Sequence, residues 1–265
     1  MTPPTGRPPI SVTVITRDEA GEIDACLSSV AWADEIVVVD SGSTDRTVEI
    51  AKRFTGKVFH HPWEGYARQK NWAVAQASHD WILSLDADER VSPALREEIE
   101  RAIGAPSPAA GYLIPRKNFF LGHWIRHGGW SPDYVLRLFQ RKEGRFLDRK
   151  VHEAVSVDGP VGRLKTPLEH YTYRSLEAYF ERMERYSTLA AEELFERGKK
   201  ANALDLTLRP WTTFIRMYLL RLGFLDGWDG FLLARLYSRY TYFKYAKLAQ
   251  MAKPATTTKK EPKEG

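Results

Sequence analysis

Apolar and polar positions follow two alternating patterns over the first hundred residues. Short β-branched runs predict strands at Ile10–Ile15, Glu35–Val39, Lys57–His60 and Trp81–Leu85. Helical spacing fills the intervals, and Ser92-Pro93 is typical of a helix start because a capping hydroxyl precedes a proline. Strands that are apolar throughout indicate burial on both faces, and strand starts about 22–25 residues apart leave room for helical crossovers. Residues 10–103 are therefore predicted to form an open, mostly parallel, doubly wound α/β sheet.

The pattern changes after residue 103. A Pro/Ala/Gly-rich connection leads to short β-like runs at Tyr112–Pro115, Tyr134–Phe139 and Val161–Leu164. Helical spacing returns over 175–198, and further helices are predicted near 211–222 and 228–251. The predicted organisation is a flexible N-terminus (1–9), a first half that forms the parallel sheet (10–103), a second half with short β-like runs (104–198), a helical extension (199–252) and a disordered tail (253–265).

Composition excludes several classes of protein. The 265 residues are 43% hydrophobic and 28% charged, as in a globular chain that needs no covalent staples. The single cysteine, Cys26, excludes a disulfide framework and a cysteine-based zinc site. No run of 18 apolar residues occurs and the first residues do not resemble a signal peptide, which indicates a cytoplasmic protein.

The net charge of +5 is concentrated near the C-terminus. Residues 195–265 hold 14 Lys and Arg against 6 Asp and Glu, whereas residues 1–194 hold 25 against 28. This asymmetry argues against a uniformly basic nucleic-acid-binding protein, so no nucleic-acid partner is expected. From Trp211 to Tyr245, 11 aromatic residues are interleaved with Arg and Lys, a pattern typical of helices that lie on a membrane. The prediction is peripheral binding to the anionic inner face of the cytoplasmic membrane. Packing of these helices on the rest of the protein, or an oligomer contact, are the alternatives.

Acidic side chains follow the predicted strands. Neither GxGxxG nor GxxxxGK[ST] is present, so the dinucleotide fingerprint and the nucleotide-hydrolase phosphate loop are missing. Asp86 and Asp88 follow the fourth strand, where alternate residues point the same way and could hold Mg²⁺ or Mn²⁺ against a diphosphate. A solvated turn that caps the next helix is the alternative. Asp40 could accept hydrogen bonds from a nucleoside, cap its own turn, or do both.

Four motifs in order resemble family 2 glycosyltransferases, which have the GT-A fold and use nucleotide-diphospho-sugars. The motifs are TRDEAGEIDACLSSV, VVVDSGSTDRT, GYARQKNWAVAQA and WILSLDADE. Later segments, including GGWSPDYVLRLFQR, DRKVHEAV and RLGFLDGWDGF, resemble the subgroup that contains lipopolysaccharide core β-glucosyltransferases. The resemblance implies an inverting, metal-dependent transfer of glucose from UDP-glucose to a lipid-anchored saccharide such as the lipopolysaccharide inner core.

The resemblance implies a GT-A glycosyltransferase domain over residues 10–198, with a nucleotide-binding half at 10–103 and an acceptor half at 104–198. It also implies roles for individual residues. Nucleotide contacts are implied for Thr16, Glu19, Asp40, Arg68, Lys70 and Asp86. Metal ligation is implied for Asp88 as the main ligand, for Asp86, and for one of His152 and His170. Asp133 is the preferred general base and Glu153 the second candidate, although Pro132 replaces the glutamate that usually precedes the base. Lys70 replaces the family's usual arginine, and an ammonium cannot make the bidentate contact of a guanidinium.

Other assignments stay open. His123 and His127 have HxxxH spacing, which is a weak zinc signal in a segment without helical pattern. Trp124, Arg126 and Trp130 could form an acceptor site or simply pack. A nucleotidyltransferase would need a Gly-rich basic loop after the first strand, which TRDEAGE does not provide. The remaining alternatives are a transferase acting on another envelope polysaccharide or a protein, and a membrane-associated non-catalytic scaffold, against which the intact aspartates argue.

Overall fold

The computed structural model describes residues 6–147 and 154–252, which form two compact units. The first unit contains the described residues up to Arg126 and those from Trp130 to Arg174. The second contains residues 127–129 and the described residues from Ser175 onward. Every described strand lies in the first unit, and the three longest described helices lie in the second.

Four parallel strands form the beginning of the sheet, in the order β3-β2-β1-β4. Their bounds are β1 Ile10–Thr16, β2 Glu35–Asp40, β3 Val58–His60 and β4 Trp81–Asp86, and the crossovers contain α1 Ile23–Ser29, α2 Thr47–Ala51 and α3 Tyr66–Ala75. Val12 and Val14 pack with the residues of α1, whereas Ile15 and Val37 pack with those of α3. Both faces of these strands are therefore buried, which explains their uninterrupted apolar sequence.

The sheet continues as a mixed sheet beyond β4. Its strands are β5 Glu89–Arg90, β6 Gly111–Phe120, β7 His123–Trp124, β8 Tyr134–Gln140, β11 Val161–Arg163 and β12 Leu168–Tyr173. Strand β8 runs antiparallel to both β4 and β6, which joins the two halves into one sheet. Helix α4, Pro93–Ile103, begins as predicted, because the Ser92 hydroxyl accepts a hydrogen bond from Leu95 N at 3.2 Å. Two further strands, β9 Gly144–Leu147 and β10 Ala154–Val157, pair only with each other in the described chain. The predicted α/β GT-A-like sheet is confirmed, with its parallel part confined mainly to the first half.

Strand β12 brings distant residues into one row. It pairs in parallel with β6 and antiparallel with β5. The register places His170 beside Asn118 on one side and beside Glu89 on the other. These three residues are far apart in sequence, and only the strand pairing brings them together.

The second unit is helical. Its helices are α5 Leu176–Glu196, α6 Ala203–Ile215 and α7 Gly227–Met251, with a π-helical turn at Arg216–Leu220 and a 3₁₀ turn at Gly223–Asp226. The helix predicted near 211–222 begins earlier, at Ala203, because Asn202 and Asp205 form a capping box. None of the helices in the described ranges has the length and hydropathy needed to cross a membrane.

Candidate active site

Three predicted site residues end neighbouring parallel strands. Thr16 ends β1, Asp40 ends β2 and Asp86 ends β4. The register places Thr16 beside Asp40 and Ile15 beside Asp86, so all three lie along one edge of the sheet. Ligands of open α/β sheets bind at this carboxyl edge. The buried Thr16 hydroxyl makes no hydrogen bond within the described residues, and a bound ligand or water could supply its partner.

Asp40 organises the turn that follows β2. Its Oδ2 accepts hydrogen bonds from the backbone N–H groups of Gly42 and Ser43, both at 2.9 Å, and its Oδ1 accepts one from the Ser43 hydroxyl. Gly42 has a φ of +91°, which favours glycine. The turn-capping role of Asp40 is therefore present, and its contact with a nucleotide stays a prediction.

The loop after β1 is fastened to this turn. The Ser43 hydroxyl accepts a hydrogen bond from Asp18 N at 2.8 Å, and Thr44 N donates to Asp18 Oδ1 at 2.7 Å. Glu19 N donates to the Thr47 hydroxyl at 2.8 Å. The backbone of Glu19, a predicted nucleotide contact, is thus held beside the Asp40 turn.

Asp86 is held by two cationic side chains. Lys70 Nζ lies 2.8 Å from Asp86 Oδ1, and Arg137 pairs with Asp86 Oδ2. Burial would raise the pKa of Asp86, but the charges of Arg137 and Lys70 outweigh it and hold that pKa well below its usual range. The Lys70 side chain is only 1% exposed, so its predicted contact with a nucleotide would need a change in this pair. That contact and the ligand role of Asp86 remain predictions.

Asp88 faces His170. The distance from Asp88 Oδ2 to His170 Nε2 is 3.5 Å, which is long for a hydrogen bond between these groups. At this separation both side chains could bind one divalent cation. No three His, Cys, Asp or Glu side chains cluster as a metal site within residues 6–147 and 154–252. A divalent cation at this pair would therefore take further ligands from a diphosphate or water, as Mg²⁺ commonly does.

Asp133 has one engaged oxygen. Its Oδ2 lies 2.7 Å from Arg116 Nη2, and it accepts hydrogen bonds from Arg116 Nε at 2.9 Å and Asn118 Nδ2 at 3.0 Å. No described contact involves Oδ1. A carboxylate held this way by one oxygen can accept a proton on the other, which is the geometry that a general base needs.

The sequence interpretation missed four residues that connect these carboxylates. Arg137 also pairs with the fully buried Glu89 at 2.8 Å, and Arg116 Nη1 lies 3.6 Å from the same Glu89 carboxylate. Asn118 Oδ1 lies 2.7 Å from His170 Nδ1. Glu89 lies in the motif LDADE and Arg137 in the motif DYVLR, so the motifs could have identified these two residues. No motif contains Arg116 or Asn118, so the sequence offered no signal for them.

The other predicted residues lie at several places. Arg68 is exposed on α3, with its Nη1 3.9 Å from Glu64. Trp124 is 38% exposed beneath Arg126, which lies 4.1 Å above its ring, whereas Trp130 packs against Phe120. His152 and Glu153 lie outside the described residues.

His127 belongs to the second unit. Its backbone N donates to Asp226 Oδ2 at 2.8 Å, and its Nδ1 lies 3.0 Å from Asp226 Oδ1. Gly128 N donates to Arg221 O at 2.8 Å, which fixes the same loop. The histidine therefore has a carboxylate partner that explains its orientation without zinc.

Comparison with known proteins shows the family of this chain. The family model described as "Glycosyl transferase family 2" matches residues 11–161, more than half of the chain. This chain belongs to glycosyl transferase family 2. The match covers most of the parallel strands and extends through the Asp133 segment.

Relatives extend the likeness along the chain. The "Lipopolysaccharide core biosynthesis glycosyltransferase LpsC" of Rhizobium meliloti is 32% identical over 246 residues, which cover 88% of this glycosyltransferase and 89% of LpsC. An uncharacterized glycosyltransferase of Rickettsia felis is 33% identical over 242 residues, covering 86% and 85% of the two chains. The mannosyltransferase PcManGT of Pyrobaculum calidifontis, solved with GDP-Man and Mn²⁺, has a TM-score of 0.53 at 16% identity and covers 93% of this chain and 88% of its own. That likeness supports the shared fold.

Proposed function

We propose that this family 2 glycosyltransferase is an inverting, metal-dependent enzyme that transfers glucose from UDP-glucose to a lipid-linked glycan such as the lipopolysaccharide inner core. The observation that carries the proposal is that the Asp88–His170 pair and the carboxylate of Asp133 lie near one another on the mixed sheet. Asp88 and His170 face each other at 3.5 Å, and the contacts of the Asp133 carboxylate within residues 6–147 and 154–252 all use Oδ2, which leaves Oδ1 for a proton. The Asp88–His170 pair is suited to bind a cation that holds a diphosphate. Asp133 is suited to act as the base that activates a hydroxyl.

In this mechanism Asp133 removes the proton from the acceptor hydroxyl. The hydroxyl oxygen then forms the new bond to the anomeric carbon as the bond from that carbon to the donor diphosphate breaks on the opposite side. The configuration at the anomeric carbon is thereby inverted. Arg116 and Asn118 donate to Oδ2 and so keep Oδ1 directed away from the protein's own donors. Such a general base contributes roughly 10²- to 10⁴-fold to the rate.

The residues that would hold Mg²⁺ or Mn²⁺ are Asp88 and His170, with Asp86 as the further candidate. A cation there would neutralise the charge that develops on the departing nucleoside diphosphate. The chain's own contribution is to keep Asp88 in place: its backbone oxygen accepts a hydrogen bond from Tyr171 N at 2.9 Å. The turn that carries Asp88 is thereby fastened to β12, one residue from His170.

The donor and acceptor follow from likeness to other proteins. The subgroup resemblance in the sequence supports UDP-glucose. The likeness to LpsC over most of both chains supports a lipopolysaccharide core acceptor. Another envelope polysaccharide or a protein acceptor would use the same base and diphosphate site, so an acceptor panel must distinguish them.

We also propose that the enzyme acts while bound to an anionic membrane surface. The second unit exposes large apolar side chains along residues 204–228, which together we term the exposed apolar surface: Leu204, Leu208, Trp211, Ile215, Leu219, Leu220, Leu222, Phe224, Leu225 and Trp228. Leu220 is 74% exposed and Trp228 is 70% exposed, values unusual for such residues in a group of this size. Exposed Arg216 and Arg221 lie within the same stretch of chain. Apolar rings among cations suit a layer of anionic headgroups, where a lipid-linked acceptor is presented.

The main experiment measures UDP binding by the full-length protein with and without Mn²⁺, using calorimetry, and transfer from UDP-glucose to extracted inner-core acceptor. We expect Mn²⁺ to strengthen UDP binding, Asp88→Ala to abolish that gain, and Asp80→Ala to keep it. Asp80 is a matched control because it is 74% exposed just before β4, at the other end of that strand from Asp86. UDP binding that is indifferent to Mn²⁺ in the parent protein would refute the metal site.

The base is tested separately. Asp133→Asn should keep Mn²⁺-dependent UDP binding and lose at least about 100-fold in turnover. Normal turnover in Asp133→Asn together with loss in Glu153→Gln would transfer the base role to Glu153. Absence of transfer to every acceptor and of donor hydrolysis in the parent protein would favour the scaffold.

A further inference from the structure

The amide side chain of Asn118 lies between the candidate metal ligand His170 and the candidate base Asp133. Asn118 is 6% exposed on β6 and contacts both His170 and Asp133. Its Oδ1 lies 2.7 Å from His170 Nδ1, and its Nδ2 donates to Asp133 Oδ2 at 3.0 Å and to Trp130 O at 3.1 Å. The amide therefore uses its acceptor on one side and both donor hydrogens on the other.

The partners fix which way the amide points. Asp133 Oδ2 and Trp130 O are both acceptors, so the group that faces them must be the NH₂. The carbonyl oxygen then faces His170, which requires the hydrogen of the neutral imidazole to be on Nδ1. The lone pair of Nε2 is left facing Asp88, as a metal ligand requires.

We propose that Asn118 is a positioning residue that orients His170 as a ligand and Asp133 as a base at the same time. The inference rests on the proposed function, because it assigns Asn118 to the two groups on which that function depends. Few side chains can do this. Leucine has the same size but offers neither contact, and aspartate can accept from His170 but sets a second carboxylate against Asp133.

Two variants of Asn118 separate the two contacts. Mn²⁺ affinity is measured by electron paramagnetic resonance of free Mn²⁺ in the presence of UDP, with no turnover involved. We expect Asn118→Leu to weaken Mn²⁺ binding about 10- to 100-fold, the usual effect of removing a partner of a metal-bound histidine. We expect Asn118→Asp to restore Mn²⁺ affinity to within about threefold of the parent, because its carboxylate still accepts from His170. Its turnover should nevertheless fall at least about 100-fold, since the new charge faces Asp133.

Thr172→Val is the matched control. The Thr172 hydroxyl lies 3.2 Å from His170 Nδ1, so this variant removes the other neighbour of the same nitrogen at nearly constant volume. We expect less than a threefold change in Mn²⁺ affinity. A loss as large as that of Asn118→Leu would make Thr172 the orienting group and overturn the proposal.

The remaining outcomes distinguish this inference from the proposed function. Parent-like Mn²⁺ binding in Asn118→Leu, with loss in Asp88→Ala, would refute the role of Asn118 and leave the metal site intact. Parent-like Mn²⁺ binding in Asp88→Ala would refute the metal site itself. Should Asn118→Leu fail to fold, Asn118→Asp alone decides, because a purely structural role would make affinity and turnover fall together.

Discussion

Three cations and three carboxylates alternate behind the sheet edge of this glycosyltransferase. Lys70 pairs with Asp86, Arg137 with both Asp86 and Glu89, and Arg116 with both Glu89 and Asp133. Because each charge has a partner of opposite sign, the side chains can be buried without a large desolvation penalty left uncompensated. The stability of the cluster therefore depends on every member, because removing one charge takes a partner of opposite sign from its neighbour.

Lys70→Met tests this dependence at one residue. The substitution keeps the length of the side chain near the Phe146 ring but removes the ammonium that lies 2.8 Å from Asp86. We expect a loss of about 2–4 kcal/mol in the free energy of unfolding, measured in urea, because Asp86 loses one of the two cations that pair with it in the described part of the chain. The double variant Lys70→Met/Asp86→Asn should lose clearly less than the sum of the two single variants. Strictly additive losses would show that the pair is not coupled.

At the scale of elements, Glu35 connects the parallel strands at their amino ends, opposite the candidate site. It begins β2, whereas Asp40 ends it. Its carboxylate accepts hydrogen bonds from the hydroxyl of Ser11 on β1 at 2.6 Å and from Ser78 N at 2.7 Å, and it pairs with Lys57. Burial would raise the pKa of Glu35, but the hydrogen bonds from Lys57, Ser11 and Ser78 outweigh it and lower that pKa to about 2.

A dependence of stability on pH follows. The folded pKa lies below the ordinary value, so the stabilisation is complete above about pH 4.5 and is lost as the pH falls toward 2. We expect Glu35→Gln to lower the free energy of unfolding by about 2 kcal/mol at pH 7, with the difference shrinking between pH 4.5 and 2.5. Urea unfolding at several pH values measures it. The exposed Glu49→Gln should show a much smaller pH-dependent difference, because solvent screens the pairing with Arg46 that lowers the Glu49 pKa. A constant difference for Glu35→Gln would contradict the assignment.

Local sequence pattern predicted some of these elements correctly and missed others. The β-branched runs predicted β1, β2 and β4 because strands buried on both faces have a distinctive local pattern. The carboxylates at their ends were found for the same reason. Local pattern contains no register, so it could not show that β12 lies between β5 and β6, and Asn118 and Arg116 were missed with it. The start of α6 was missed because the prediction began at the aromatic stretch and passed over the capping box at Asn202.

At the scale of the whole molecule, charge and chemistry are divided between different parts of the chain. The candidate site uses residues from the slightly acidic first 194 positions, whereas the net positive charge is in residues 195–265. The exposed apolar surface falls within the same basic stretch. Anionic lipid is complementary to that combination, since it offers negative headgroups above an apolar interior.

Binding to vesicles tests this assignment. We expect the full-length protein to sediment with vesicles that contain phosphatidylglycerol more than with neutral phosphatidylcholine vesicles, and less as salt rises from about 0.05 to 0.5 M. Leu220→Asp and Trp228→Asp should each weaken the partition about tenfold, because each removes one exposed apolar group and adds a negative charge. Leu189→Asp is the matched control, since Leu189 is 46% exposed on α5 and outside the exposed apolar surface. Equal losses in all three variants would mean that only net charge matters. The assignment would be overturned if the parent protein binds neither type of vesicle and sediments as a dimer while Leu220→Asp sediments as a monomer. The exposed apolar surface would then be an interface between two copies of the chain.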